Sequence, residues 1–247
     1  MTLIRPLARA AGARELLDGP APFAERARSL GDVARLNGVF GGRLVTLRHV
    51  RRLLARLPRG RTATVVDFGT GGADIPRALV RWARRARRPI RVIALDRDAA
   101  TLDVARRTIA GYPEIVLLQA DALGLPFRRG AVDVAISALT LHHLEPPAAT
   151  AYLAAMHAVA RRGVIVNDLA RSRIAWALVW LITRLLGCGR MSRHDGPLSV
   201  RRAYTADELR GLCARAGLAG ARVLRYVPLL RLCAVAEKRP PAEASPA

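Results

Sequence analysis

Thr64-Val65-Val66-Asp67-Phe68-Gly69-Thr70-Gly71-Gly72-Ala73-Asp74 is the stretch whose reading decides the fold. A short β-branched run predicts a strand, and the glycines that end it predict a tight turn in which backbone can approach a ligand closely. From about Ala73 to Arg85 the pattern turns helical, with Asp74 and Pro76 in the first turn, where an acid and a proline suit a helix start. Strand, turn and helix make one βα unit.

Outward from it the unit repeats. Ile90–Leu95 reads as a strand, Ala99–Ile109 as a helix, Ile115–Gln119 and Val132–Ser137 as strands, Ala148–Val159 as a helix and Val164–Asn167 as a fifth strand. Short apolar strands alternating with helices predict a parallel sheet covered on both faces. Thr205, with Glu208 three residues on, is a capping box that opens a helix to Ala216. The runs Ala221–Val227 and Arg231–Ala236 follow, joined by a short turn containing Pro228, and so short a link joins only antiparallel strands. Upstream, Phe23, Ala27, Leu30, Val33 and Ala34, then Leu44, Leu47, Val50, Leu53 and Leu54, give two helices broken at Gly41 and Gly42. The expected organisation is a helical cap over residues 1–58, a main domain over 59–238 with a lid insertion at about 170–204, and a Pro- and Ala-rich disordered tail over 239–247.

The chain has 247 residues, 51% of them hydrophobic, which is enough for one domain with an elaboration. Its formal charge is +22, and Lys238 is the only lysine. The arginines are spread along helices (Arg48, Arg51, Arg52 and Arg56; Arg81, Arg84, Arg85, Arg87 and Arg88) and read as a solvated basic surface. Cys188, Cys213 and Cys233 are far apart and lack CxxC spacing, so reduced thiols are expected. Arg5, Arg9 and Arg14 interrupt the opening residues too often for a signal peptide, and a cytoplasmic location is expected. The apolar run Trp176–Ile182 is too short to span a bilayer, being interrupted at Arg173 and Arg184. This run reads as a core or lid helix, and as a lid it can touch a lipid-like substrate or a membrane surface.

Chemistry concentrates at the strand ends. A dinucleotide site wants glycine at the last position of G-x-G-x-x-G, but here that residue is Asp74, and Asp67 and Asp74 would repel a pyrophosphate. Asp96 ends the second strand, where a carboxylate accepts both hydroxyls of a ribose. Asp121 ends the third, placed to meet the exocyclic amine of an adenine. Three acids on one crevice suit a ribose, an adenine and a cationic tail.

At these residues the sequence resembles the class I S-adenosylmethionine-dependent methyltransferases, with a first motif DFGTGGAD (67–74), a second ALDRD (94–98), a third QADA (119–122) and a fourth DVAISALTLHHL (133–144). The resemblance implies a Rossmann-like, doubly wound sheet of seven strands, mostly parallel with an antiparallel last strand, and S-adenosyl-L-methionine as cofactor. It implies that Asp67, Gly69, Thr70, Gly71, Gly72 and Asp74 line the methionine end, Asp96 and Arg97 the ribose, and Asp121 and Ala122 the adenine, with Ser137 on the fourth strand beside the crevice. Ala73 stands where the family has a third glycine, and Gly72 is expected to compensate. More narrowly, LNGVFGG (36–42), NDL (167–169) and DGPLSVRRAY (195–204) are similar to segments of a subgroup near the quinone-biosynthesis methyltransferases.

His142 and His143, after the fourth strand, are the candidate catalytic residues, because ionising a phenol of pKa near 10 at pH 7 costs about 4 kcal/mol and a base offsets part of that. Asn37, Asn167, Asp168, His194, Arg201 and Tyr204 are candidates for the acceptor side. No histidine–carboxylate group has metal-ligand spacing along the chain, so no metal is expected. The expected reaction is O-methylation of a hydrophobic small molecule of secondary metabolism, a phenol, quinol or polyketide. C-methylation in quinone biosynthesis is one alternative. Nucleic-acid methylation is the other, disfavoured because Ser137–Thr140 reads SALT where a base-stacking Pro-Pro-aromatic run would stand.

Overall fold

The structure is a computed structural model that describes residues 7–124, 127–218, 220–227 and 230–238. The expected tail over 239–247, the turn at Pro228 and Arg5 lie outside the described residues.

Seven strands form one sheet in the order β3-β2-β1-β4-β5-β7-β6. These are β1 (Ala63–Phe68), β2 (Ile90–Asp96), β3 (Ile115–Gln119), β4 (Val132–Ala138), β5 (Ala160–Leu169), β6 (Arg222–Tyr226) and β7 (Arg231–Glu237). The first five pair in parallel, while β7 runs antiparallel to both β5 and β6. Strand order reverses between β1 and β4, the place where open α/β sheets open a crevice at their carboxyl ends.

The helices are α1 (Phe23–Val39), α2 (Gly42–Leu54), α3 (Asp74–Arg85), α4 (Ala99–Thr108), α5 (Pro146–Val159), α6 (Arg173–Leu185), α7 (Arg190–Arg202) and α8 (Ala206–Arg215). One apolar cluster joins Leu153, Met156, Leu209 and Leu212 of α5 and α8 to Phe68, Ala135 and Val166 on one face of the sheet. On the other face, Val50, Leu53 and Leu54 of α2 and Leu79 and Val80 of α3 pack on Val65, Val134 and Ile165. Most of the sheet is thus covered on both sides, which is why the middles of its central strands are apolar, as in Val164–Val166 of β5.

The α1–α2 break turns at Gly41, whose φ is +62°. A Cβ on the next residue, Gly42, would lie 1.9 Å from Asn37 Oδ1. Thr205 caps α8 as the sequence requires, with both halves of the capping box formed. Within the expected insertion at about 170–204, the polar stretch 190–202 is the helix α7, with Pro197 inside it. All three cysteines are free and buried. Among the described residues, no helix is long and apolar enough to cross a membrane.

Candidate functional site

The β1–α3 turn is built for close approach. Gly69 and Gly71 have φ of +67° and +54°, and a Cβ on Gly69 would sit 2.5 Å from the Thr140 side chain. Ala73 itself takes the left-handed conformation, with φ 57° and ψ 33°, whereas Gly72 is not left-handed. Gly72 therefore does not take over the missing glycine's conformation, and the turn carries a strain of about 1–2 kcal/mol at Ala73.

This turn floors a cavity of about 500 Å³ at the carboxyl ends of β1 to β4, roofed by α1. Of the expected cofactor residues, Gly69, Thr70, Gly71, Gly72, Asp74, Asp96, Arg97, Asp121 and Ala122 line it. Asp67 lies just beneath and accepts a hydrogen bond from Thr70 Oγ1 at 2.8 Å, while its Oδ1 has no partner. Ser137 is fully buried behind the crevice and shares a 2.8 Å hydrogen bond with the Tyr152 hydroxyl, which donates to the Phe68 carbonyl.

The acids are electrostatically unfinished. Burial, with Asp74 and Asp96 nearby, pushes Asp67 up from 3.8 to about 8, and burial also raises Asp74 and Asp96. Asp96 accepts from the Gly71 and Asp98 amides at 3.0 and 3.1 Å, which aims it into the turn. Burial is the main cause of all three shifts, and a positively charged ligand placed against these carboxyls would favour their ionised forms.

At the same end, Asn37 donates to Asp74 Oδ2 at 2.9 Å and accepts from Arg231 Nη2 at 3.1 Å. Arg231 is fully buried, lines the cavity, and leaves Nε and Nη1 without partners. Burial lowers its pKa to about 10, so it stays cationic at pH 7. Orphaned guanidinium donors beside a cavity point to an anionic group on the ligand. Sequence reading missed Arg231, whose one signal is an arginine opening an otherwise apolar strand.

The same cavity has an apolar lining, Leu30, Val33, Leu36, Phe40, Leu139 and Val179, and His142 and His143 also line it. His142 Nδ1 is 2.7 Å from Asp168 Oδ1, and its Nε2 is 3.6 Å from Glu15. His143 Nδ1 is 3.2 Å from Asp18, and its Nε2 is 3.7 Å from the other Glu15 oxygen. Burial alone would depress His142, yet Asp168 and Glu15 lift it to about 10, so it is an imidazolium at pH 7. In return the two histidines hold Glu15 low despite its burial.

Glu15, His142 and His143 are the three described side chains whose donor atoms, all within 4.8 Å, are near enough to hold an ion. Glu15 stands 127 residues before His142, so no spacing rule along the chain finds the group. Its donors are already engaged, since Ser199 donates to Glu15 at 2.8 Å and the Arg202 guanidinium lies 3.8 Å from it. Sequence reading missed Glu15 and Asp18. Their only signal was a pair of acids in an arginine-rich leader.

The remaining expected residues are placed as supports. Asp168 sits behind His142, and Asn167 donates to the Gly42 carbonyl and to Thr46, tying α2 to β5. The Tyr204 hydroxyl donates to the Leu144 carbonyl, and Arg201 points to solvent. His194 is about half exposed, bonded to buried Asp195, which accepts the Leu16 and Leu17 amides at 2.8 and 3.0 Å. Asn167, Asp168, His194, Arg201 and Tyr204 are not part of the cavity wall, whereas Asn37 is.

Comparison with known proteins bears on this crevice directly. Residues 65–163 match the model of a methyltransferase domain. Over 85 residues the chain is 45% identical to a 2-phytyl-1,4-naphtoquinone methyltransferase of Thermosynechococcus vestitus, a match covering 33% of this chain and 36% of that relative. The chain thus spans about a third of that curated relative's length. Among solved structures it shares its fold with an S-adenosylmethionine-dependent methyltransferase from Aquifex aeolicus (TM-score 0.54, 19% identity, 76% of this chain and 89% of that one). Magnesium protoporphyrin IX methyltransferase from Synechocystis, solved with bound S-adenosylhomocysteine, is similar as well (TM-score 0.54, 15% identity, 90% of both chains). The glycine turn and the acids around it thus lie within residues 65–163, the part of the chain that matches a methyltransferase domain, and the fold that carries them is shared with S-adenosylmethionine-dependent methyltransferases.

Proposed function

We propose that the protein transfers a methyl group from S-adenosyl-L-methionine to an oxygen of a hydrophobic small molecule, a phenol, quinol or polyketide. The observation that carries this reading is one cavity lined both by buried acids at the glycine turn and by apolar side chains with two histidines.

When bound, the cofactor supplies an electrophilic methyl group on a sulfonium, so the protein's task is alignment and proton handling. In this reading Asp96 holds the ribose hydroxyls, and Asp121 with Ala122 meets the adenine. Asp67 and Asp74 face the positive charge of the methionine end, and Arg231, held by Asn37, faces its carboxylate. His142 already carries its proton, so it serves as a buried cation that favours an ionised acceptor oxygen. His143, less buried and also lining the cavity, is the group that takes the acceptor's proton. Together these residues would hold the acceptor oxygen, once relieved of its proton, against the methyl group that the bound cofactor would supply.

Methylation of a quinone ring carbon is the second reading, favoured by the naphthoquinone named in the relative with 45% identity. Incubation with methyl-labelled cofactor and a panel of phenolic lipids and quinols, with the product bond identified by mass spectrometry, separates the two. Transfer to nucleic acid or protein alone would overturn both.

A further inference from the structure

We propose that the outer face of α6 docks the protein onto an anionic lipid bilayer. Thirteen large apolar side chains are exposed among the described residues, and six of them, Ile174, Trp176, Leu178, Trp180, Leu181 and Leu185, are on this one helix, at 37–73% exposure. Ala175, Val179 and Thr183, four residues apart, are the stripe it buries against the protein. Its polar side chains are Arg173 and Arg184 near its two ends and buried Thr183, so α6 is apolar nearly all round. Such a helix belongs in a core or in lipid, and here more than half of its circumference faces outward.

Charge selects the occupant. Arg173, Arg184, Arg190, Arg193 and Arg201 are exposed on α6 and α7, while the only acid between residues 173 and 202, Asp195, is buried. A second copy of the chain would bring the same arginines face to face within a molecule of formal charge +22. An anionic headgroup layer meets the arginines with opposite charge and takes the apolar side chains into its acyl boundary. The Arg184 guanidinium lies 4.0 Å from the Trp180 ring centroid, a stem-and-head arrangement suited to that interface. At 13 residues α6 is about 20 Å long, so it lies along the surface rather than across it.

The docking deepens the reading of a hydrophobic acceptor, because Val179 on the inner stripe lines the apolar end of the cavity. A lipid-like acceptor would enter beside the docked helix. Binding itself is measured without turnover, which keeps the two readings separable.

The test uses the full chain with large unilamellar vesicles of phosphatidylcholine, alone or with phosphatidylglycerol. The expected result is co-sedimentation with the anionic vesicles that weakens as salt is added, and a blue shift of tryptophan emission in a Trp82→Phe background, where Trp176 and Trp180 are the only reporters. The triple substitution Trp176→Ser, Leu181→Ser, Leu185→Ser lowers partitioning at least tenfold while S-adenosylhomocysteine binding by calorimetry is unchanged. Three results overturn the proposal: no binding to anionic vesicles, equal binding of the triple variant, or a wild-type dimer in ultracentrifugation that the triple substitution splits. A loss of cofactor binding in the wild type would instead count against the methyltransferase reading and leave the docking measurement standing.

Discussion

Replacing Asp67 with asparagine should make the cofactor-free protein more stable and the cofactor site worse. The carboxyl is 2% exposed, one oxygen has no partner, and its pKa rises from 3.8 to about 8. An acid with a raised pKa keeps its proton in the folded state where the unfolded chain has released it. Stability from this group is therefore greatest below the unfolded pKa of 3.8 and falls as pH climbs toward about 8. At pH 7 the loss is about 4 kcal/mol at 1.36 kcal/mol per unit. Asparagine escapes it, but its amide inherits the unpartnered position at a cost of about 1–3 kcal/mol. The net expectation is a gain of about 1–3 kcal/mol in the free protein at pH 7, with a flatter stability profile from pH 5 to 8. S-adenosylmethionine affinity should fall at least tenfold, because asparagine cannot give up a proton and become the negative charge that the ligand's cation would call for. Urea unfolding across that pH range, paired with calorimetric titration, reads both quantities. A variant less stable than wild type at pH 7, or one with unchanged affinity, would refute the reasoning.

Asp96→Ala removes a carboxylate placed for the ribose and should weaken cofactor binding by about 1.5–3 kcal/mol, measured by calorimetry. Arg231→Met empties the buried guanidinium position, and should weaken binding of S-adenosylhomocysteine more than that of adenosine, which has no carboxylate. His142 is lifted from 6.5 to about 10, so its pairing with Asp168 and Glu15 contributes fully below pH 6.5 and is lost as pH rises through about 10. Unfolding free energies should fall across that window, and His142→Gln, which leaves two buried carboxylates short of their cation, should cost about 3–5 kcal/mol. Asp195→Ala frees the Leu16 and Leu17 amides, and amide exchange should speed up at those two residues first.

The sheet was legible because its signals are local. The β-branched run at Thr64–Phe68, the glycine turn after it and the Thr205 capping box each depend on neighbours within a few residues. The acids at Asp67, Asp96 and Asp121 were legible for the same reason, since strand ends fix where they point. Helix α7 was not, because much of its buried face is polar: Asp195, Ser199 and Arg202 bond the segment around Glu15–Asp18, only Met191, Pro197 and Val200 are buried apolar residues, and Gly196 and Pro197 interrupt the helical pattern. Ser137, Asn167, Asp168 and Tyr204 show a related limit. Sequence position put them near the crevice, but their hydrogen bonds turn inward and make them supports for β4, α2, His142 and the Leu144 carbonyl. Glu15 and Arg231 escaped because each meets its partners only across the folded chain.

The most direct measurement is calorimetric titration of the purified protein with S-adenosylmethionine and, separately, with NAD. Micromolar or tighter binding of the sulfonium nucleoside, accompanied by proton release in buffers near pH 7 and no heat from NAD, is the outcome expected if the buried acids ionise against the ligand's positive charge. Binding of NAD with none of S-adenosylmethionine would contradict that account at its root.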